Sequence, residues 1–179
     1  DGNESLKKEE IRAKLPEESK CEIVLGELKQ ELIDSLNLVV MSPGVPLDIE
    51  PVERLKAAGL PIWGEVELAY CMGAGTVLAI TGTNGKTTTT ALLGEIIKAY
   101  AESVFVVGNI GNAYTGAASS MKEESYTVAE ISSFQLETIH TFHPVVSAIL
   151  NITPDHLNRH HTMEAYVAAK EAVASQQTK

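Results

Sequence analysis

From residue 76 onward the chain alternates two patterns. Short apolar, β-branched runs at 77–80, 104–107, 126–131 and 146–150 read as buried strands. Between them lie stretches with helical spacing, such as Ala91-Leu92-Leu93-Gly94-Glu95-Ile96-Ile97. A last helix is predicted over 163–174, with Met163, Tyr166, Val167, Lys170 and Ala174 on one face. Regular strand–helix alternation predicts a parallel sheet with crossover helices, an α/β fold. Upstream the pattern is less regular. A weak helix over 5–15 ends at Pro16, and strands are expected at 22–26 and 38–41, the second running into the turn Ser42-Pro43-Gly44. A helix over 49–58 closes at Gly59, a strand begins at 61–63, and a short helix covers 65–72. Gly73-Ala74-Gly75 is a joint, so two domains are expected, 1–72 and 73–179. Asp1-Gly2-Asn3 reads as a strand end and its turn, which predicts a start in mid-domain.

In open parallel sheets ligands bind beyond the carboxyl ends of the strands. Here those ends are polar or glycine-rich: Thr81-Gly82, Gly108-Asn109, Glu130 with Ser132-Ser133, and Asn151 through His156. All four clusters converge on one edge. The first continues as Thr81-Gly82-Thr83-Asn84-Gly85-Lys86-Thr87-Thr88, a Gly-rich turn between a strand and a helix. Gly82 and Gly85 allow successive N–H groups to face phosphate oxygens at a helix N-terminus. Lys86 would reach the β- and γ-phosphates and the Thr87 hydroxyl would ligate Mg²⁺. The usual pattern has a glycine six residues before the lysine, where this chain has Ile80. An ordinary strand–turn–helix corner containing Gly-Lys-Thr is the other reading.

Glu130, late in an apolar strand, would be costly to bury alone and is a candidate Mg²⁺ ligand, a salt-bridged or capping role being the alternative. Thr153-Pro154 resembles a helix start with Thr153 as N-cap, which would turn His156 toward the phosphates. His156 and His160 are spaced for a zinc pair, but no cysteine or third ligand has matching spacing. Lys170 lies in an apolar stripe. It either snorkels to solvent or is a partly buried amine with a lowered pKa.

Composition narrows the function classes. The formal charge is −10, from 24 acids against 14 bases, which opposes nucleic-acid or membrane-surface binding. Cys21 and Cys71 lack paired spacing, which predicts reduced thiols and a cytoplasmic protein. No apolar run approaches bilayer-spanning length, and no signal peptide opens the chain.

With these residues in view, the chain resembles the Mur ligases, ATP-dependent amino-acid-adding enzymes of peptidoglycan synthesis. The loop 81–87 matches the ATP motif of that superfamily, shared with folylpolyglutamate synthases and cyanophycin synthetases. More discriminating are Gly108-Asn109-Ile110-Gly111 and Glu130-Ile131-Ser132-Ser133-Phe134-Gln135-Leu136-Glu137, the latter similar to the D-glutamate-adding branch. Asn151-Ile152-Thr153-Pro154-Asp155-His156-Leu157 and the Ala168-Ala169-Lys170 helix also fit.

The resemblance implies a partial Rossmann-like UDP-substrate domain, then the first part of a P-loop central domain, with a C-terminal amino-acid-binding domain absent. It implies the substrates UDP-N-acetylmuramoyl-L-alanine and D-glutamate, the cofactors ATP and Mg²⁺, and an acyl-phosphate intermediate. Gly82, Thr83, Asn84, Gly85, Lys86, Thr87 and Thr88 would bind ATP. Asp1, Ser42, Pro43 and Gly44 would contact the UDP part, and Asn109, Ser132 and Gln135 the muramoyl-alanine end. Thr87 and Glu130 would hold one magnesium, and His156 with a carbamoylated Lys170 a second. A folylpolyglutamate-synthase-like ligase or a non-catalytic nucleotide-binding module are the alternatives, the first opposed by the Ser-Pro-Gly turn and the 130–137 motif.

Overall fold

The computed structural model describes residues 6–109 and 111–177. The chain divides into two compact units, Asp1–Asn37 with Leu47–Pro61, and Leu38–Pro46 with Ile62–Lys179. The first holds helices α1 (Lys8–Arg12), α2 (Gln30–Ser35) and α3 (Glu50–Ala57). Helix α3 carries Pro51 in its first turn and buries Val52 and Leu55, while α2 buries Ile33. Gly59, at φ +73°, turns the chain out of the helix. The expected strand at 22–26 does not form. Neither sheet includes that stretch, and apolar propensity alone does not make a strand.

In the second unit, β1 (Val39–Met41) and β2 (Ile62–Gly64) form a parallel pair in the register Val39↔Ile62 to Met41↔Gly64. Helix α4 (Glu65–Met72) follows at once. The main sheet alternates with helices: β3 (Thr76–Thr81), α5 (Lys86–Lys98), β4 (Val104–Gly108), α6 (Tyr114–Ala118), β5 (Tyr126–Glu130), α7 (Ser133–Leu136) and β6 (Val146–Ile149). Helices α8 (Leu157–His160) and α9 (Met163–Glu171) close the unit. The strand order is β4-β5-β3-β6, and every pairing is parallel. Strands β3 and β5 are central, and their Val77, Ala79, Val128 and Ala129 are buried, as strands covered on both faces require. The register sets Ile80 opposite Glu130 and Glu130 opposite Gly108, so three strands end together. Among the described residues, no helix is long and apolar enough to cross a membrane.

The helix expected to start at Thr153 begins instead at Leu157, with His156 as its N-cap at φ 51°, a left-handed conformation unusual outside glycine. Tertiary hydrogen bonds explain the shift. The Thr153 N–H donates to the Thr83 hydroxyl, so residues 151–155 run along the loop after β3 instead of coiling.

Glu67 of α4 is fully buried, a position the sequence does not flag. Its carboxylate accepts from the N–H groups of His140, Thr141 and Phe142 at 2.8, 2.7 and 3.1 Å, and from the Thr141 hydroxyl at 2.6 Å. Desolvation pushes its pKa up, but these four donors outweigh it and hold the carboxyl below its ordinary 4.5. The carboxylate thus organises the loop that leads into β6. A depressed carboxyl contributes stability above its unfolded-state pKa and loses it as pH falls through the folded value. Glu67→Ala should therefore cost at least ~3 kcal/mol at pH 7, from several stranded donors. In thermal unfolding, the gap between wild type and Glu67→Gln should narrow below about pH 4. A gap that stays constant down to pH 3 would show that Glu67 is not held ionised.

Candidate functional site

Four residues, 82–85, connect the end of β3 to the start of α5. Gly85 caps α5 at φ 83°, where a side chain would be strained. The Thr89 N–H reaches the Gly85 carbonyl at 3.0 Å, so the N–H groups before it have no partner along the helix. Lys86 folds back, its Nζ donating to the carbonyls of Gly82 and Thr83 at 3.0 and 2.9 Å. From α9, the Nζ of Lys170 donates to the same Gly82 carbonyl at 2.8 Å and lies 4.8 Å from the Tyr166 ring centroid. Lys170 is 2% exposed, so it does not snorkel to solvent. Burial, then the charge of Lys86, lower its pKa to about 8, with Asp155 acting in the opposite direction. Two lysine amines on one carbonyl beside a helix N-terminus concentrate positive charge locally in a strongly acidic chain.

The loop is held from outside. Asn151, just past β6, accepts from the Asn84 N–H through Oδ1 at 2.9 Å and donates to the Asn84 carbonyl through Nδ2 at 3.0 Å. Its own carbonyl accepts from the Thr83 N–H at 3.0 Å. The Thr83 hydroxyl accepts from the Thr153 N–H at 3.0 Å and lies 3.0 Å from the Tyr166 hydroxyl. Sequence pattern alone does not assign these roles to Asn151 or Tyr166. For Asn151 the available signal was its position as the first polar residue after a strand at the ligand edge.

Thr87 and Thr88 are exposed in the first turn of α5. Glu130 is buried at the end of β5, and its Oε1 has no hydrogen-bond partner. An isolated buried carboxylate oxygen is costly unless a cation meets it. With the Thr87 hydroxyl it offers hard oxygen donors of the kind Mg²⁺ takes. Among the described residues no three His, Cys, Asp or Glu side chains form a metal-holding group, so phosphate and water oxygens would complete such a site.

Around α7 and α8 a second cluster forms. Ser132 and Gln135 make a capping box, in which the Ser132 N–H donates to Gln135 Oε1 at 2.9 Å and the Gln135 N–H to Ser132 Oγ at 3.3 Å. His160 is buried, with Nε2 2.9 Å from the Ser133 hydroxyl and Nδ1 3.4 Å from Glu137. Burial lowers its pKa. His156 is half exposed, 3.4 Å from Asp155, with its ring 4.9 Å from that of Phe134. Arg159 pairs with Glu137 at 2.5 Å, covers Phe134, and donates to the Val45 carbonyl at 3.0 Å. It thereby ties the Ser42-Pro43-Gly44 turn, closed by the Val45 N–H to Ser42 carbonyl bond, to the α7–α8 cluster. The Asn109 N–H donates to the Glu130 carbonyl at 2.9 Å while its side chain faces solvent. Asp1 lies outside the described residues.

A parallel sheet whose first loop carries Gly-Lys-Thr between strand and helix defines a P-loop α/β protein. The chain belongs to the Mur ligase family: residues 80–179 match the family described as Mur ligase middle domain, and residues 4–64 the one described as Mur ligase MurD-like, N-terminal domain. Its relatives include proteins named UDP-N-acetylmuramoylalanine--D-glutamate ligase. One from Lachnospira eligens is 60% identical over 179 residues, all of this chain and 40% of the relative. One from Lachnoclostridium phytofermentans is 62% identical over all of this chain and 39% of its own length. One from Clostridioides difficile is 49% identical over 92% of this chain and 39% of its own length. The chain thus spans about 40% of the length of the relatives it matches.

Because Lys170 is pushed from 10.5 to about 8, the unfolded chain holds its proton between those values and the folded chain does not. Stability from this group is therefore lowest below pH 8 and rises toward pH 10.5. An NMR titration of labelled lysines should give Lys170 a midpoint near 8, apart from the surface lysines. A midpoint near 10 would contradict the assignment.

Proposed function

We propose that this chain supplies the nucleotide-binding and carboxylate-activating part of a cytoplasmic ligase that joins D-glutamate to UDP-N-acetylmuramoyl-L-alanine. In this reading residues 1–72 belong to the UDP-substrate domain and 73–179 to the first part of the ATP domain. The observation that carries the reading is the meeting of Lys86 and Lys170 on the Gly82 carbonyl of one glycine-rich loop, with Glu130 at the end of the strand paired to β3. The names of the relatives support this choice of substrates.

The muramoyl-alanine carboxylate attacks the γ-phosphate of ATP, ADP leaves, and the D-glutamate amine displaces phosphate from the acyl phosphate. The protein's contribution to the first step is positioning and charge neutralisation. Residues 82–88 hold the phosphates, the N–H groups at the start of α5 and Lys86 facing the β- and γ-oxygens. Thr87 and Glu130 would hold Mg²⁺, which when bound would offset the charge on the transferred phosphoryl group. Lys170, an amine that is half neutral near pH 8, can add CO₂ with loss of a proton. The carbamate is an anion that would no longer oppose Lys86, and with His156 it would orient a second cation. Ser42, Pro43, Gly44 and Asp1 contact the UDP part, while Asn109, Ser132 and Gln135 contact the muramoyl-alanine end.

The test is a chimera in which this chain replaces the matching segment of the Lachnospira eligens relative. It should release ADP over many turnovers only when D-glutamate and the nucleotide-sugar substrate are both present. Lys86→Ala should abolish turnover, and Glu130→Ala should raise the Mg²⁺ requirement. Lys170→Ala should lose activity and regain part of it with added acetate. A folded chimera without D-glutamate-dependent turnover would overturn the proposal.

A further inference from the structure

We infer that Asn151 is the positioning residue that sets the shape of the phosphate loop, acting as a substitute strand for Asn84. The inference rests on the nucleotide reading above and adds to it a residue outside the loop. Residues 82–85 belong to neither β3 nor α5, and Gly85 leaves the loop through a left-handed angle. The backbone between them therefore has no ladder or helix of its own to fix it. Asn151 replaces that missing partner. Its side-chain amide has the same donor and acceptor as a peptide group, and it meets both polar groups of Asn84, at 2.9 and 3.0 Å. Its backbone carbonyl takes the neighbouring Thr83 N–H at 3.0 Å.

Two consequences follow from these contacts. First, the Thr83 and Asn84 N–H groups are already committed, so the anion-facing donors are the N–H groups from Gly85 to Thr88. Second, the residue must carry donor and acceptor together. An aspartate keeps the acceptor for the Asn84 N–H but sets a second oxygen against the Asn84 carbonyl. Asn151 itself is exposed, so truncating it opens no core cavity.

The experiment is amide hydrogen exchange on the 179-residue chain, paired with MgATP titration, for wild type, Asn151→Ala, Asn151→Asp and Lys86→Ala. In Asn151→Ala the Asn84 amide should exchange about tenfold faster or more, on the scale of one lost hydrogen bond. The Thr83 amide, held by the backbone of residue 151, should not change. Asn151→Asp should keep Asn84 slow yet weaken MgATP binding, because its second oxygen opposes the Asn84 carbonyl. MgATP affinity should fall about tenfold in Asn151→Ala, again the scale of one hydrogen bond. Lys86→Ala should lose MgATP while leaving Asn84 protected. Unchanged exchange at Asn84 overturns the clasp. So does equal acceleration at Thr83, which would mean general loosening. Faster exchange at Asn84 with unaltered MgATP affinity overturns its role in binding. If the wild-type chain fails to bind MgATP while Asn84 is still selectively released by Asn151→Ala, the nucleotide reading is what fails.

Discussion

The Gly82 carbonyl accepts two ammonium groups, one from Lys86 in its own loop and one from Lys170, 88 residues further along the chain. Like charges this close are tolerated only where something offsets them. Burial and the charge of Lys86 depress the pKa of Lys170 to about 8, and Asp155 acts in the opposite direction. Everything around the loop serves the same end. Asn151, Thr153 and Tyr166 fix residues 83 and 84, while β3 and α5 supply the two rigid ends. The loop is therefore built by two segments far apart in sequence, and only the fold of the whole sheet brings them together.

Two buried glutamates show how such a fold separates structure from chemistry. Glu67 has its carboxylate saturated by three backbone N–H groups and a hydroxyl, and it anchors a connection. Glu130 is as deeply placed, yet one of its oxygens is unpartnered at the edge where the loop lies. Desolvation penalises both. In the first the protein compensates it internally, whereas in the second one oxygen is left without a partner from the described residues.

The main sheet was legible because its strands are short apolar runs separated by helical spacing, and each falls within a residue or two of its expected bounds. The loop 82–88 was legible because its chemistry is local. What the sequence concealed depends on distant partners. Residues 22–26 look like a strand but neither sheet includes them. Thr153-Pro154 looks like a helix start, but its N–H is taken by Thr83 and the helix waits until Leu157. Glu67 reads as one more acid on a helix until the 140–142 loop folds over it. Asn151, Arg159 and Glu137 show the same limit, since no periodicity reveals which backbone a polar side chain will meet.

In the proposed function the anion is received by the start of α5 and Lys86, on a loop already held in shape. Backbone NMR of the chain during addition of a non-hydrolysable ATP analogue with Mg²⁺ addresses it most directly. The largest amide shifts should fall at Gly85, Lys86, Thr87 and Thr88, with a change at the Lys170 Nζ and little change at Thr83 and Asn84. Shifts concentrated at Thr83 and Asn84, or spread away from the loop, would contradict it.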